Sequence, residues 1–137
     1  MEKLAVSKQK RRLVSLKRVL VYGVLSCVVF VLVMFVGICF GIRSAVKQMS
    51  AEATKEYPGD RVEALIAYVS SENHSLKKRN RAVWALGQIG DKSALPVLES
   101  FYTGGECDHE KELCQRELKH AIHGCKGGLN LTAWLRR

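Results

Sequence analysis

Six residues between positions 107 and 125 have side chains able to do chemistry: Cys107, His109, Cys114, His120, His123 and Cys125. Such groups ligate zinc, form disulfides or act as activated nucleophiles. Their spacing narrows the choice. No compact pair of cysteines two to four residues apart is present, and a predicted helix separates Cys107 from His120 and Cys125, so no zinc centre is expected. Cys114 and Cys125 lie about 16 Å apart along that helix by rise, beyond disulfide reach. Cys107 sits in the loop before it and can fold back onto Cys114. A Cys107–Cys114 disulfide is the expected pairing in an oxidising compartment, with three unpaired thiols as the alternative. Cys125 is then a buried small hydrophobe or an odd thiol. His120 and His123 read as surface or half-buried residues. With no Ser/His/Asp or Cys/His arrangement, the sequence predicts no catalytic residue, cofactor or metal, and no enzyme.

Three further features carry less specific signals. Lys77, Lys78, Arg79 and Arg81 lead into Trp84, which reads either as a phosphate- or lipid-binding patch or as the exposed face of a helix. Asn73-His74-Ser75 and Asn130-Leu131-Thr132 are glycan-acceptor sequons, relevant only if the segment is exported into a glycosylating compartment. Asp108 to Glu112 is a charge run, expected as a solvated first helical turn with its acids near the positive helix end.

The elements that hold these residues begin with a long apolar segment. Val19 to Ile42 contains no charge, and eight Val, three Leu, three Phe and two Ile fall within it. Those sixteen side chains contribute on the order of −5 to −10 kcal/mol to bilayer insertion, and about 20 residues suffice to cross. A cleaved signal peptide fits poorly: the apolar centre is too long, and Gly41, Arg43 and Ser44 make a poor cleavage site. The segment is therefore read as a retained signal anchor. Residues 1–18 hold seven basic side chains against Glu2. Basic flanks stay on the cytoplasmic side, so the expected topology is a single-pass protein of the plasma (inner) membrane, N-terminus inside and residues 43–137 outside. Gly37 and Gly41 form a small-x-x-x-small pair that offers a homodimer contact, against simple lipid-facing glycine as the alternative. Cys27 and Cys39 are expected to behave as small hydrophobes there.

Of the formal charge of +9, only +3 lies beyond residue 42, which argues against a nucleic-acid partner. Residues 43–59 read as a juxtamembrane helix and linker, broken at Tyr57-Pro58-Gly59. From Asp60 to Gly128 the apolar spacing is helical throughout and no strand pattern occurs, so the domain is all-α. Asp60 is placed to cap a helix burying Leu65, Ile66 and Val69. Leu76 to Ile89 forms the second helix, Gly90 stops it, and Asp91 caps a third with Leu95, Leu98, Phe101 and Tyr102 facing inward. Asp108 opens a fourth that buries Cys114, Leu118, Ala121, Ile122 and Cys125. Residues 129–137 read as an amphipathic C-terminal tail. Val62, Leu65 and Tyr68 recur 33 residues later as Leu95, Leu98 and Phe101, and Ala85, Leu86 and Ile89 recur 36 later as Ala121, Ile122 and Cys125. A helical pair repeating at this period marks an α-solenoid.

The run Arg79-x-x-Ala82-x-x-Ala85-Leu86-Gly87-Gln88-Ile89-Gly90-Asp91, followed by Ala94-Leu95-Pro96-Val97-Leu98, resembles the HEAT-like repeat of the phycobilisome-lyase type. The resemblance implies a short solenoid of about two helical pairs in which Ala82, Ala85 and Gly87 permit close helix approach. It further implies a tight turn at Gly90-Asp91 and Pro96 in a first helical turn, where proline is tolerated. The second copy departs from the pattern, with His123, Lys126 and Gly127 where Gly, Gly and Asp stand in the first. The fourth helix is thus expected to end the stack as a cap. Such solenoids offer surfaces to proteins, so the expected role is a membrane-held adaptor for a protein partner, with no small-molecule substrate. A structural or accessory subunit of a larger membrane complex is the near alternative. A lyase-type enzyme and a nucleic-acid-binding solenoid are remote ones.

Overall fold

The computed structural model describes the backbone of residues 2–128 and the side chains of residues 17–128. The side chains of the basic leader through residue 16, the expected 129–137 tail and the Asn130 acceptor lie outside the described residues. Within them the chain is all-α, and it divides into two compact units, residues 1–40 and residues 41–137.

Helix α1 runs without interruption over Glu2–Glu56. Nothing in the residues between Ile42 and Glu56 breaks it, and it stops where Pro58 disfavours helical backbone at the residue before it. The large apolar side chains from Val19 to Phe40 are all at least 46% exposed, so this stretch has no protein core to face. It is long and apolar enough to cross a membrane. The space around Gly37 and Gly41 is open. The last turns of α1 behave differently. Met49 and Ala53 are buried in the core of the second unit, so the folded repeat region takes in residues well before Asp60.

Helix α2 (Arg61–Ser70) starts on a reciprocal cap: Asp60 Oδ1 accepts the Val62 and Glu63 N–H groups at 2.7 and 2.9 Å, while Glu63 Oε2 accepts the Asp60 N–H at 3.1 Å. Losing such a cap costs about 1 kcal/mol. Asp60→Ala is therefore expected to lower the thermal midpoint of the repeat region by about 4–8 °C in a calorimetric or spectroscopic melt, with Asp60→Asn retaining most of the native value. The bonds run to backbone N–H groups at a helix start, where the asparagine oxygen accepts equally well.

Helix α3 (Leu76–Ile89) ends at Gly90, whose φ of 69° is a left-handed conformation that glycine adopts without penalty. Asp91 then caps a single 3₁₀ turn, Lys92–Ala94, by accepting the Ser93 N–H at 2.9 Å and hydroxyl at 2.8 Å. These bonds hold the Asp91 carboxyl below its ordinary range. Helix α4 (Leu95–Phe101) follows directly, with Pro96 in its first turn. Tyr102 does not face inward as expected: α4 ends at Phe101, and the extended backbone at Tyr102 leaves its side chain 37% exposed.

Helix α5 (Gln115–Cys125) also departs from expectation. It does not begin at Asp108. Residues 108–112 form a separate turn closed by the Lys111 and Glu112 N–H groups on the Asp108 carbonyl, and Leu113 and Cys114 pass extended into the core before the helix starts. The reason is non-local. Leu113 is buried, the Cys114 N–H donates to Asn80 Oδ1 on α3 at 2.9 Å, and the Gln115 amide fills the loop interior. That amide accepts the Thr103 and Gly104 N–H groups and donates to the Phe101 and Leu113 carbonyls. Extending the helix back to Asp108 would give up each of these bonds.

The core is one cluster: Met49 and Ala53 from α1, Leu65, Tyr68 and Val69 from α2, Ala82, Val83, Ala85 and Leu86 from α3, Leu98 from α4, and Leu118, Ala121, Ile122 and Cys125 from α5. Helices α2 and α3 form one pair, α4 and α5 the next, and α3 packs against α5. This is a short solenoid.

Candidate functional site

Alanine and glycine at the repeat positions set how closely the two pairs approach. A Cβ on Gly87 would lie 2.6 Å from Ala121 Cα, and one on Gly124 would lie 2.5 Å from the Gly87 carbonyl oxygen. Backbone thus meets backbone where α3 crosses α5. Ala82, Ala85 and Leu86 are fully buried beside this crossing, and Ile89 is half-buried.

The basic run on α3 is partly engaged within the fold, with Lys77 exposed beside an open cleft. Lys78 Nζ pairs with Glu52 at 2.9 Å, and Arg81 donates to Gln48 Oε1 at 3.1 Å, both on the last turns of α1. The Arg79 Nε–H donates to the Val69 carbonyl at 2.8 Å, and its guanidinium lies 5.6 Å from the Phe101 ring centre, joining α2, α3 and α4. Trp84 is half-buried against the core. Glu52 also accepts the Tyr68 hydroxyl at 3.1 Å. The hydrogen bond from Lys78 holds the Glu52 carboxyl below its ordinary range, and burial raises the Tyr68 phenol. Tyr68 stacks on His74 with ring centres 3.7 Å apart, and His74 Nε2 lies 3.1 Å from Glu56 and 3.2 Å from the Tyr57 hydroxyl. Side chains from α1, α2 and the α2–α3 turn thereby form one polar and aromatic clasp over the buried Met49 and Ala53. Asn73, in the same turn, is exposed.

Cys107 and Cys114 come together at the start of α5. Their sulfurs lie 2.8 Å apart, with Cys107 half-exposed and Cys114 buried. Cys107 Sγ also accepts the Arg116 N–H at 3.3 Å, so the loop thiol takes one of the unpaired amides of the first helical turn. The hydrogen bond from Cys114, followed by that from Arg116, holds the Cys107 thiol below its ordinary value, whereas burial pushes the Cys114 thiol up. Cys125 is remote from this pair. It is buried, donates to the Leu86 carbonyl at 3.7 Å, and burial pushes it up to about 11. Two open clefts flank Cys107 and Cys114, one bordered by Tyr102, Gly105 and Lys119, the other by Lys77 and Asn80, with His109 and Arg116 shared. Among the described residues no three metal-ligating side chains converge.

Sequence spacing pointed to Cys107 and Cys114 but missed Asn80, Gln115 and Gly124, which register α5 against its neighbours. Gly124 carried one signal, a glycine inside an otherwise regular helical stripe, which marks a close approach.

Stacked helical pairs built on small residues define a helical-repeat module of the kind that presents surfaces to other proteins. The PBS lyase HEAT-like repeat matches residues 78–103, which span α3, the Gly90-Asp91 turn and α4. No curated protein and no solved structure matches the chain.

Proposed function

We propose that the chain is a single-pass membrane protein that holds a HEAT-like docking module against the non-cytoplasmic face of the plasma (inner) membrane, where it serves as an adaptor for another protein. The carrying observation is the band of large apolar side chains from Val19 to Phe40, all exposed and uncharged, directly after a leader with a net charge of +6. An apolar surface of this length is compatible with lipid and not with water, and the basic leader favours the cytoplasmic side. The repeat region supports the docking role through its architecture, which exposes helix faces. An accessory subunit of a larger membrane complex belongs to the same class and differs only in how permanent the partner is.

A reporter active only outside the cytoplasm, fused after Arg137, tests the topology. Activity at the level of an exported control is expected, with the chain retained in membranes through an alkaline carbonate wash. Activity confined to the cytoplasmic reporter would reverse the orientation, and release by the wash would remove the anchor. Gentle detergent extraction should then recover the chain in a particle larger than its own micelle complex, with a second protein present in fixed ratio. A chain that emerges alone under every mild extraction would sink the adaptor reading.

A further inference from the structure

Cys107 and Cys114 are not disposed like a merely buried pair. The outer thiol, Cys107, is half-exposed and borders one open cleft, while the inner, Cys114, is buried but borders the other, with the two sulfurs 2.8 Å apart. The outer sulfur faces the amino end of α5 and receives the Arg116 N–H, the environment that favours thiolate over thiol. The inner sulfur is the more buried of the two, and Cys107 Sγ lies directly against it. Attacking and resolving thiols need this division of labour.

We propose that Cys107 and Cys114 form a thiol–disulfide exchange site, in which Cys107 attacks an external disulfide and Cys114 resolves the product into an intramolecular bond. In the first step Cys107 gives up its proton and its sulfur attacks one sulfur of the oxidant RS–SR. The Cys107–SR bond forms, the RS–SR bond breaks, and the departing RS⁻ takes up a proton. In the second step Cys114 loses its proton and attacks Cys107 Sγ. The Cys107–Cys114 bond forms, the Cys107–SR bond breaks, and the second RS⁻ leaves and is protonated. Two chain thiols are oxidised by two electrons and one disulfide is reduced to two thiols. A reducing dithiol runs the sequence backwards. The short stretch from residue 108 to 113 is stapled in one state and released in the other, next to the clefts on either side of α5. This chemistry belongs to the repeat region and does not depend on which side of the membrane that region occupies.

The test uses the full chain in detergent micelles, reduced, desalted and exposed to oxidised glutathione, then quenched with N-ethylmaleimide and mapped by peptide mass. Native chain is expected to carry an internal Cys107–Cys114 disulfide, no retained glutathione and an unreacted Cys125. Cys114→Ser is expected to accumulate glutathione on Cys107, because the resolving sulfur is gone. Cys107→Ser is expected to react at Cys114 at least about tenfold more slowly than native chain reacts at Cys107. Cys107 and Cys114 both left as free thiols in oxidised native chain, or glutathione retained on Cys107 there, would overturn the proposal. The native chain alone decides this, so a variant that fails to fold does not rescue it.

Discussion

Gly87→Leu is expected to unfold the repeat region. A Cβ there already falls 2.6 Å from Ala121 Cα and 2.9 Å from Ala121 Cβ, and backbone has no rotamer with which to yield. Helices α3 and α5 would have to separate by more than a methyl radius, opening the cluster around Leu86, Leu118 and Cys125. Overpacking a filled interior costs about 1–3 kcal/mol even where side chains can shift. Here the larger side chain also prises apart the principal packing of a small domain, whose whole stability lies near the low end of about 5–15 kcal/mol. The propensity effect runs the other way, since glycine inside a helix is about 1 kcal/mol worse than alanine. A loss of stability on Gly87→Ala would therefore be diagnostic of the close crossing, and Gly87→Leu should abolish the folded state. The buried Cys125 thiol reports the outcome: it resists alkylation in the native chain and should react in minutes in the variant. Gly105→Ala is the control, because its Cβ would meet only Thr103 Oγ1, at 3.5 Å. If Cys125 stays protected in Gly87→Leu, the crossing described above is wrong.

Lysine at Val29, Val31 and Val33 together is expected to keep the chain out of the bilayer. All three lie close to the middle of the apolar stretch, where each lysine costs about 2.5–3.5 kcal/mol and each lost valine adds a few tenths. The combined penalty, about 8–12 kcal/mol, matches or exceeds the roughly −5 to −10 kcal/mol that the apolar side chains provide. One lysine should be tolerated, two should divide the population, and three should move the chain into the alkaline-soluble fraction. The core of the second unit uses none of these residues, so Cys125 should remain protected in the soluble variant. Retention of the triple variant in the carbonate-washed pellet would show that insertion does not rest on this segment.

Residues that act locally made much of the fold legible. Asp60, Gly90 and Asp91 mark ends that depend on one side chain or one φ angle, and the apolar spacing of α2 and α3 places Leu65, Val69, Ala82 and Leu86 on buried faces. The start of α5 was not legible, because Asp108 is as good a local helix cap as Asp60. What overrules it is Asn80, 34 residues before the Cys114 whose N–H it accepts, and the burial of Leu113. The role of the last turns of α1 was hidden for a similar reason. Ala45, Met49 and Ala53 recur every fourth residue there, but their small number and the neighbouring apolar span let the stretch read as a mere continuation of that span. Lys78 and Arg81 reach across from α3 to the same turns. The thiol pair was found from loop position alone, but the asymmetry between the two sulfurs comes from α5 beginning at Gln115 rather than before Cys107's partner.

The outward side of α5 carries Arg116, Lys119, His120 and His123, all exposed, while its apolar residues point back to α3 and α4. At the opposite edge, the last turns of α1 already lie over Tyr68 and the start of α3. Open-ended arrays of helical pairs can add further copies in line and grow into filaments. Among the described residues, this stack therefore presents a polar, exposed face on α5 and, at its other edge, a pair already covered by the last turns of α1.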